Sequence, residues 1–314
     1  MDYLPWIEKY KPVYINDIIG HTHNIETIRK LIKSNALPHL LFYGPPGTGK
    51  TSTILTIANE LYGNNLRLMT MKLDASDDRG INSVREDIKG FADKKNMFME
   101  GVKLIILDEA DSMTFDAQFA LRRIIEKYSE TLRFCLICNY ENKIIPAIKL
   151  RFANFRFSYI ENKYIYEKIK YIVDKENINI TNDAINFISN IANGDLRRGI
   201  NLLQTINMQS NNITTELCHK LSEIPLEKNI IYIISILDSN LLYKNKYKII
   251  EDFLNNNYSL YLLIIEIFKL IITNDNYIKY CNPLIISKFA NLEIIILKNT
   301  NDSIYISSLI NIFL

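Results

Sequence analysis

Between an apolar run, His39-Leu-Leu-Phe-Tyr43, and a helix-like run, Thr51–Leu61, the chain reads Gly44-Pro45-Pro46-Gly47-Thr48-Gly49-Lys50-Thr51-Ser52. A glycine-rich turn that leaves a strand and opens a helix belongs to an open α/β sheet, whose ligands gather at the carboxyl ends of the strands. Gly44, Gly47 and Gly49 let the backbone turn tightly, so that successive N–H groups point inward at the β- and γ-phosphates of a triphosphate. Lys50 adds a point charge, and the Thr51 hydroxyl can ligand Mg²⁺. The strand before and the helix after separate this loop from a chance cluster of glycines. ATP with Mg²⁺ is the ligand it predicts.

The second part of such a site is Leu104-Ile-Ile-Leu-Asp108-Glu109-Ala-Asp111. Four apolar residues make a buried strand, and Asp108 at its end can hold magnesium through water. Glu109 is then placed to polarise the water that attacks the γ-phosphate. Asn139 ends the next apolar run, Phe134–Cys138. Its amide would orient that water or contact the γ-phosphate; equally, Asn is an ordinary turn residue at a strand end. In Gly194-Asp-Leu-Arg197-Arg198, a helix starting near Asp195 would aim Arg197 at the phosphates, although two arginines on a helix also suit a solvated face.

The motifs sit at the ends of short apolar runs, Leu40–Tyr43, Leu68–Leu73, Leu104–Leu107 and Phe134–Cys138, with helix-like segments between them. That pattern predicts a parallel sheet covered on both faces through about residue 160. From about Tyr164 the strand signals stop. Residues 164–220 read as short helices broken near Asn193-Gly194 and Asn211-Asn212, and Pro225 opens a final stretch of long Ile/Leu-rich helices such as Ile230–Leu237, Leu260–Ile272 and Leu292–Leu297. Several are apolar nearly all round, which predicts either a partner interface or a compact core enriched by codon bias.

A length of 314 residues suits two or three domains. A formal charge of +2 gives no global basicity, so any contact with nucleic acid must come from a local patch. Four scattered cysteines and no evident signal peptide predict a reducing intracellular compartment. Cys135 and Cys138 lie three apart on an expected strand, hence on opposite faces, so they read as core thiols and not as a zinc pair. Tyr261–Ile272, the most apolar stretch, is interrupted by Glu266 and Lys269 and is shorter than the ~20 residues a bilayer needs, so no membrane span is expected.

Taken together, the chain resembles a small subunit of replication factor C, the AAA+ sliding-clamp loader of eukaryotic and archaeal type. The likeness is carried by Pro5-Trp-Ile-Glu-Lys-Tyr-Lys-Pro12, Asp17-Ile-Ile-Gly20, the loop at 44–52, Ala75-Ser-Asp-Asp-Arg-Gly-Ile81 and the Asp-Glu-Ala-Asp strand. It continues through Ala120-Leu-Arg-Arg123, Arg133-Phe-Cys135, Cys138-Asn-Tyr140 and Gly194-Asp-Leu-Arg-Arg198, and so covers about the first 200 residues closely. The resemblance implies an α/β fold in three parts. These are an AAA+ P-loop ATPase domain with a parallel sheet (1–160), a small helical lid (161–222) and an all-helical collar for oligomerisation (223–314). It implies roles too: Asn139 as the sensor-1 residue, Arg197 as sensor 2, and Trp6, Tyr10, Pro12 and Ile18-Ile19-Gly20 near the adenine. Arg151 falls where the family's Ser-Arg-Cys motif supplies an arginine finger to the neighbouring subunit's ATP. Here the motif reads Leu150-Arg151-Phe152, keeping the arginine and changing both flanks. A surface arginine at the domain edge is the plainer reading of the same residue.

By the same resemblance, the partners are the other subunits of a heteropentamer, a ring-shaped sliding clamp and primer–template DNA gripped without regard to sequence. Arg79, Arg85 and Lys143 would hold DNA phosphates. A helix beginning near Asn82-Ser83 would place Arg79 at its N-terminus and Lys89 one turn beyond Arg85, although Glu86 and Asp87 also fit a plain salt-bridged helix. Met97 and Phe98 would touch the clamp, or else pack beneath the sheet. The expected location is intracellular: the nucleus, or a cytoplasmic replication site for a viral protein. Two other functions stay open at this point, a mainly structural ATP-binding subunit of the same complex and another AAA+ DNA motor.

Overall fold

The computed structural model describes residues 4–34, 36–75, 80–93, 101–255, 258–298 and 302–313. The chain divides into two compact units, Met1–Asn177 with Ile188–Thr205, and Ile178–Phe187 with Ile206–Leu314.

The first unit is built on a five-stranded sheet: β1 (Leu40–Tyr43), β2 (Thr70–Asp74), β3 (Lys103–Asp108), β4 (Leu132–Cys138) and β5 (Ala153–Arg156), in the order β2-β3-β4-β1-β5. Every pairing is parallel. Successive residues of the central strands enter opposite cores. Leu41, Ile105, Leu107, Phe134 and Leu136 pack on one face, and Leu40, Phe42, Leu104, Ile106 and Ile137 on the other. A strand buried on both sides has no polar face to show, which is why these segments read as unbroken apolar runs. Cys135 joins the second set and Cys138 the first, both as buried free thiols. No cluster of His, Cys, Asp and Glu suited to a metal occurs among the described residues.

One expectation for this unit needs correction. The run Leu68–Leu73 is not one strand: Leu66–Met69 forms a short helix and β2 begins at Thr70. Leu, Arg and Met are all strong helix formers, and a run that is apolar in both halves hides the change of conformation. Sequence reasoning also missed β5, a short edge strand in which only Phe155 is buried, so its periodicity is too brief to read.

The second unit adds a parallel pair of two-residue strands, β6 (Asn179–Ile180) and β7 (Asn212–Ile213). Strands this short carry no alternation, and the expectation that strands cease after Tyr164 is corrected here. Helices follow at Thr215–Leu221, Glu227–Asp238, Tyr243–Leu254, Leu260–Thr273, Pro283–Ile296 and Asp302–Ile312. Two of these helices start on a side-chain cap. The Thr214 side chain accepts from Leu217 N, and Asn282 accepts from Leu284 N and Ile285 N with Pro283 in the first turn. Ile233, Leu237, Ile250, Leu260, Leu263, Ile267, Leu309 and Ile310 are among the buried residues of the core. Helix Pro283–Ile296 buries Phe289, Leu292 and Ile296 while Leu284, Ile294 and Ile295 stay exposed. Among the described residues, no helix is long and apolar enough to cross a membrane.

Candidate active site

Gly44 and Gly47 show why the loop after β1 needs glycine. Gly44 has φ 142°, and a Cβ there would stand 1.9 Å from Phe157 O; Gly47 has φ 69°, and a Cβ would stand 1.7 Å from Asp195 Oδ1. The loop is thus pressed between backbone on one side and a carboxylate on the other, and Leu196 N donates to Gly47 O at 3.3 Å. Within the loop, Thr48 Oγ1 donates to Pro45 O at 2.9 Å. His21 Nε2 lies 3.2 Å from Thr48 O, which can only accept, so that nitrogen carries the proton. Burial holds the His21 imidazole below its ordinary pKa, the bond to Thr48 O opposes that shift, and the ring leans on Phe157.

Lys50 opens helix Lys50–Tyr62, and only 6% of it is exposed. Its ammonium donates to Gly44 O and Pro45 O, each at 2.7 Å, and to Asn139 Oδ1 at 3.0 Å. Burial lowers its pKa; the carboxylates of Asp108 and Asp111 oppose the shift, and Arg197 adds to it. At the end of β3, Asp108 Oδ2 accepts the Thr51 hydroxyl at 3.1 Å, and Oδ1 accepts Glu109 N at 3.1 Å. Glu109 itself takes a left-handed conformation, φ 53°, and stays exposed. Asp111 accepts from Asn139 N at 3.3 Å and Tyr140 N at 3.1 Å.

Lys50, Thr51, Asp108, Glu109 and Asn139 line one cleft of about 330 Å³ with Tyr10, Pro12, Pro46, Gly49, Ser52, Lys72, Arg197 and Ile200. Of the residues expected near an adenine, Tyr10 and Pro12 reach its walls; Trp6 and Ile18-Ile19-Gly20 are not among them. The Trp6 backbone N–H is instead held by Gln204 Oε1 at 3.0 Å, and Tyr10 donates to Glu176. Chemically, the donor set suits magnesium–ATP. The buried Lys50, the exposed Arg197 and the glycine loop all line the cleft, and a hydroxyl and a carboxylate, the hard oxygen ligands Mg²⁺ prefers, are already paired there.

Other expected site residues fall elsewhere. Arg151 follows the short helix Pro146–Lys149; its guanidinium donates to Ala147 O at 2.8 Å and to Glu126 Oε1 at 2.5 Å. Glu126 also accepts from Arg122 Nε at 3.0 Å. The two altered flanks part company: Leu150 is 86% exposed, and Phe152 is buried with its ring 5.3 Å from that of His39. Arg85 and Lys89 are exposed on helix Gly80–Asp93, which starts two residues before the expected Asn82. Lys143 is exposed, its ammonium 5.1 Å from the centre of the Tyr140 ring. Arg79, Met97 and Phe98 lie outside the described residues.

Sequence reasoning gave no role to four groups in or beside this site: His21, Lys72, Asp111 and Asp195. A signal existed for Asp195, which precedes helix Leu196–Gln209 and accepts from Arg198 N at 3.1 Å in the manner of an N-cap. Lys72 carries no motif, and only the strand register brings it to Asp108.

A parallel sheet, a glycine loop that wraps a buried lysine and an Asp-Glu pair on the adjoining strand end define an ATPase of the AAA class. The model of the ATPase family associated with various cellular activities matches residues 40–159, and that of the RCF1/5-like AAA+ ATPase lid domain matches 167–208. The chain is 51% identical over 231 residues to the probable replication factor C subunit 5 of Dictyostelium discoideum, covering 72% of this chain and 67% of that protein. It is 41% identical over 314 residues to the human replication factor C subunit 5, covering 99% and 91%. The chain belongs to the replication factor C subunits, the clamp-loader ATPases of DNA replication. Among solved structures, the Thermotoga maritima RuvB Holliday junction branch migration motor aligns over 73% of this chain and 79% of its own, with a TM-score of 0.56 and 17% identity. That likeness concerns the fold alone.

Proposed function

We propose that the chain is a hydrolytically active subunit of a heteropentameric loader, which spends ATP to open a ring-shaped clamp and set it on primed DNA. The observation that carries this reading is the Lys50–Asn139 bond of 3.0 Å beside the Thr51–Asp108 bond of 3.1 Å. Two residues of one loop and two from strand ends line one cleft. In this reading Lys50 and the loop N–H groups neutralise the β- and γ-phosphates, with Arg197 reaching the same charge from its helix. Glu109 takes the proton of the attacking water, Asn139 holds that water in line, and the bond from the γ-phosphorus to the bridging oxygen breaks to give ADP and phosphate. Thr51 and Asp108 would hold Mg²⁺, which supplies electrophilic neutralisation of the phosphate oxygens.

Arg151 would act on the neighbouring subunit's ATP. Its side chain is held at the surface by Glu126 and Ala147, outside its own cleft, which is where a residue serving another chain must be. Arg79, Arg85 and Lys143 would grip DNA phosphates without reading bases, so binding should weaken steeply with salt. Met97 and Phe98 would meet the clamp, and residues 223–314 would form the collar after a lid at 161–222. The nucleus is the proposed location, or a cytoplasmic replication site for a viral protein.

The test is Glu109→Gln in the assembled complex, with nucleotide content and DNA-stimulated turnover both measured. Loss of turnover with ATP retained supports the proposal; undiminished turnover overturns it. A second reading, a subunit that holds ATP as a static ligand, is favoured by the replaced flanks of Arg151. It predicts ATP, and not ADP, on the unaltered protein after long incubation.

A further inference from the structure

Lys72 belongs to no motif, yet it is a wall of the cleft. It sits on β2, the edge strand, opposite Ile106 in the register that sets Asp74 against Asp108. From there its ammonium reaches Asp108 Oδ2 at 3.2 Å, the oxygen that also accepts the Thr51 hydroxyl at 3.1 Å. Of the lysines that line the cleft, Lys50 and Lys72 have separate partners. Lys50 is bound to the loop carbonyls and Asn139, and Lys72 is bound to the acid.

One carboxylate oxygen cannot serve an ammonium and a divalent cation equally. A cation held between Thr51 and Asp108 needs the lone pairs of both oxygens, and its charge repels an ammonium a few ångströms away. The side chains differ in how readily they move: that of Lys72 is 47% exposed and that of Asp108 only 17%. A lysine on a four-carbon arm, half in water, gives way at small cost, whereas the acid stays in place.

We propose that Lys72 is a tethered competitor of the divalent cation. It neutralises Asp108 until a cation displaces it, and so sets the cation concentration at which the site loads nucleotide. The proposal rests on the reading that Thr51 and Asp108 hold the cation.

The experiment uses the full-length chain, a fluorescent ATP analogue and a titration of magnesium chloride, reading bound nucleotide and not turnover. Lys72→Met should reach half-saturation at a magnesium concentration about three- to tenfold lower than the unaltered chain, the range expected on removing one half-exposed counter-charge. Lys72→Arg keeps the charge and should stay within about twofold. Asp108→Asn should raise the requirement, and adding Lys72→Met to it should change nothing further, because the competitor has lost its target. Thermal melts confirm that each variant is folded, with Lys72→Gln as the substitute should Lys72→Met fail. An unchanged or higher requirement in Lys72→Met, with Asp108→Asn responding as expected, overturns the proposal and leaves the cation site standing. No response to Asp108→Asn removes the cation assignment itself, and the proposal with it.

Discussion

In the sheet unit apolar residues alternate between two cores, and polar residues collect at one end of the strands. In the helical unit apolar residues surround helices such as Pro283–Ile296, so that Leu284, Ile294 and Ile295 remain exposed beside a filled core. The first unit spends its polar residues on a few atoms placed to within a hydrogen bond of each other. The second has few such points and a large apolar area. Chemistry located at points and association located over an area respond differently to substitution, and that difference can be tested.

The largest separation is expected from Lys50→Ala. Removing the one ammonium that bridges the loop and Asn139 should lower turnover at this site on the order of a thousandfold, about 4 kcal/mol in the barrier. Chemical denaturation of the helical unit should be unmoved. Next comes Leu263→Ala, which empties a fully buried position of the helical core. It should cost about 3 kcal/mol in urea unfolding while turnover per folded, assembled molecule stays the same. If turnover fell in step with stability, points and areas would not be separable in this way.

A smaller effect sharpens the sheet side. Burial, with Arg133 adding, holds the His39 imidazole down to about 4, and its Nδ1 accepts from Phe134 N. A histidine whose folded pKa lies below its unfolded value contributes its full stability above pH 6.5 and loses it as pH falls toward 4, because the unfolded chain takes up the proton first. About 2 kcal/mol should be gone by pH 5, and urea denaturation at pH 7.5 and 5 should show the loss shrink in His39→Gln. The smallest stability effect belongs to Leu284→Lys and Ile295→Lys, each within about 0.5 kcal/mol. Recovery of the multi-subunit complex by size exclusion should nevertheless drop. Full recovery would take those side chains out of any interface.

The same contrast explains what could be read in advance. The loop at 44–51 and the run ending in Asp108 were legible because function there demands particular residue types at particular spacings. Cys135 and Cys138 were legible because strand geometry puts them on opposite faces. Residues 68–73 were misjudged because apolar residues continue from the short helix into β2 and hide the change of conformation, and β5 was missed because a short edge strand buries only Phe155. The aim of Arg151 could not be read at all. It depends on Glu126, twenty-five residues away, and on Phe152 packing against His39, contacts that only the folded chain creates.

Asp111 has a consequence of its own. Its carboxylate takes two backbone amides, those of Asn139 and Tyr140, and so stitches the tip of β4 to the turn that bears Glu109. Glu109 and Asn139, which flank the cleft on separate strand ends, are thereby tied through one carboxylate. In the proposed mechanism, loss of that one carboxylate would disturb the base and the water-positioning amide together.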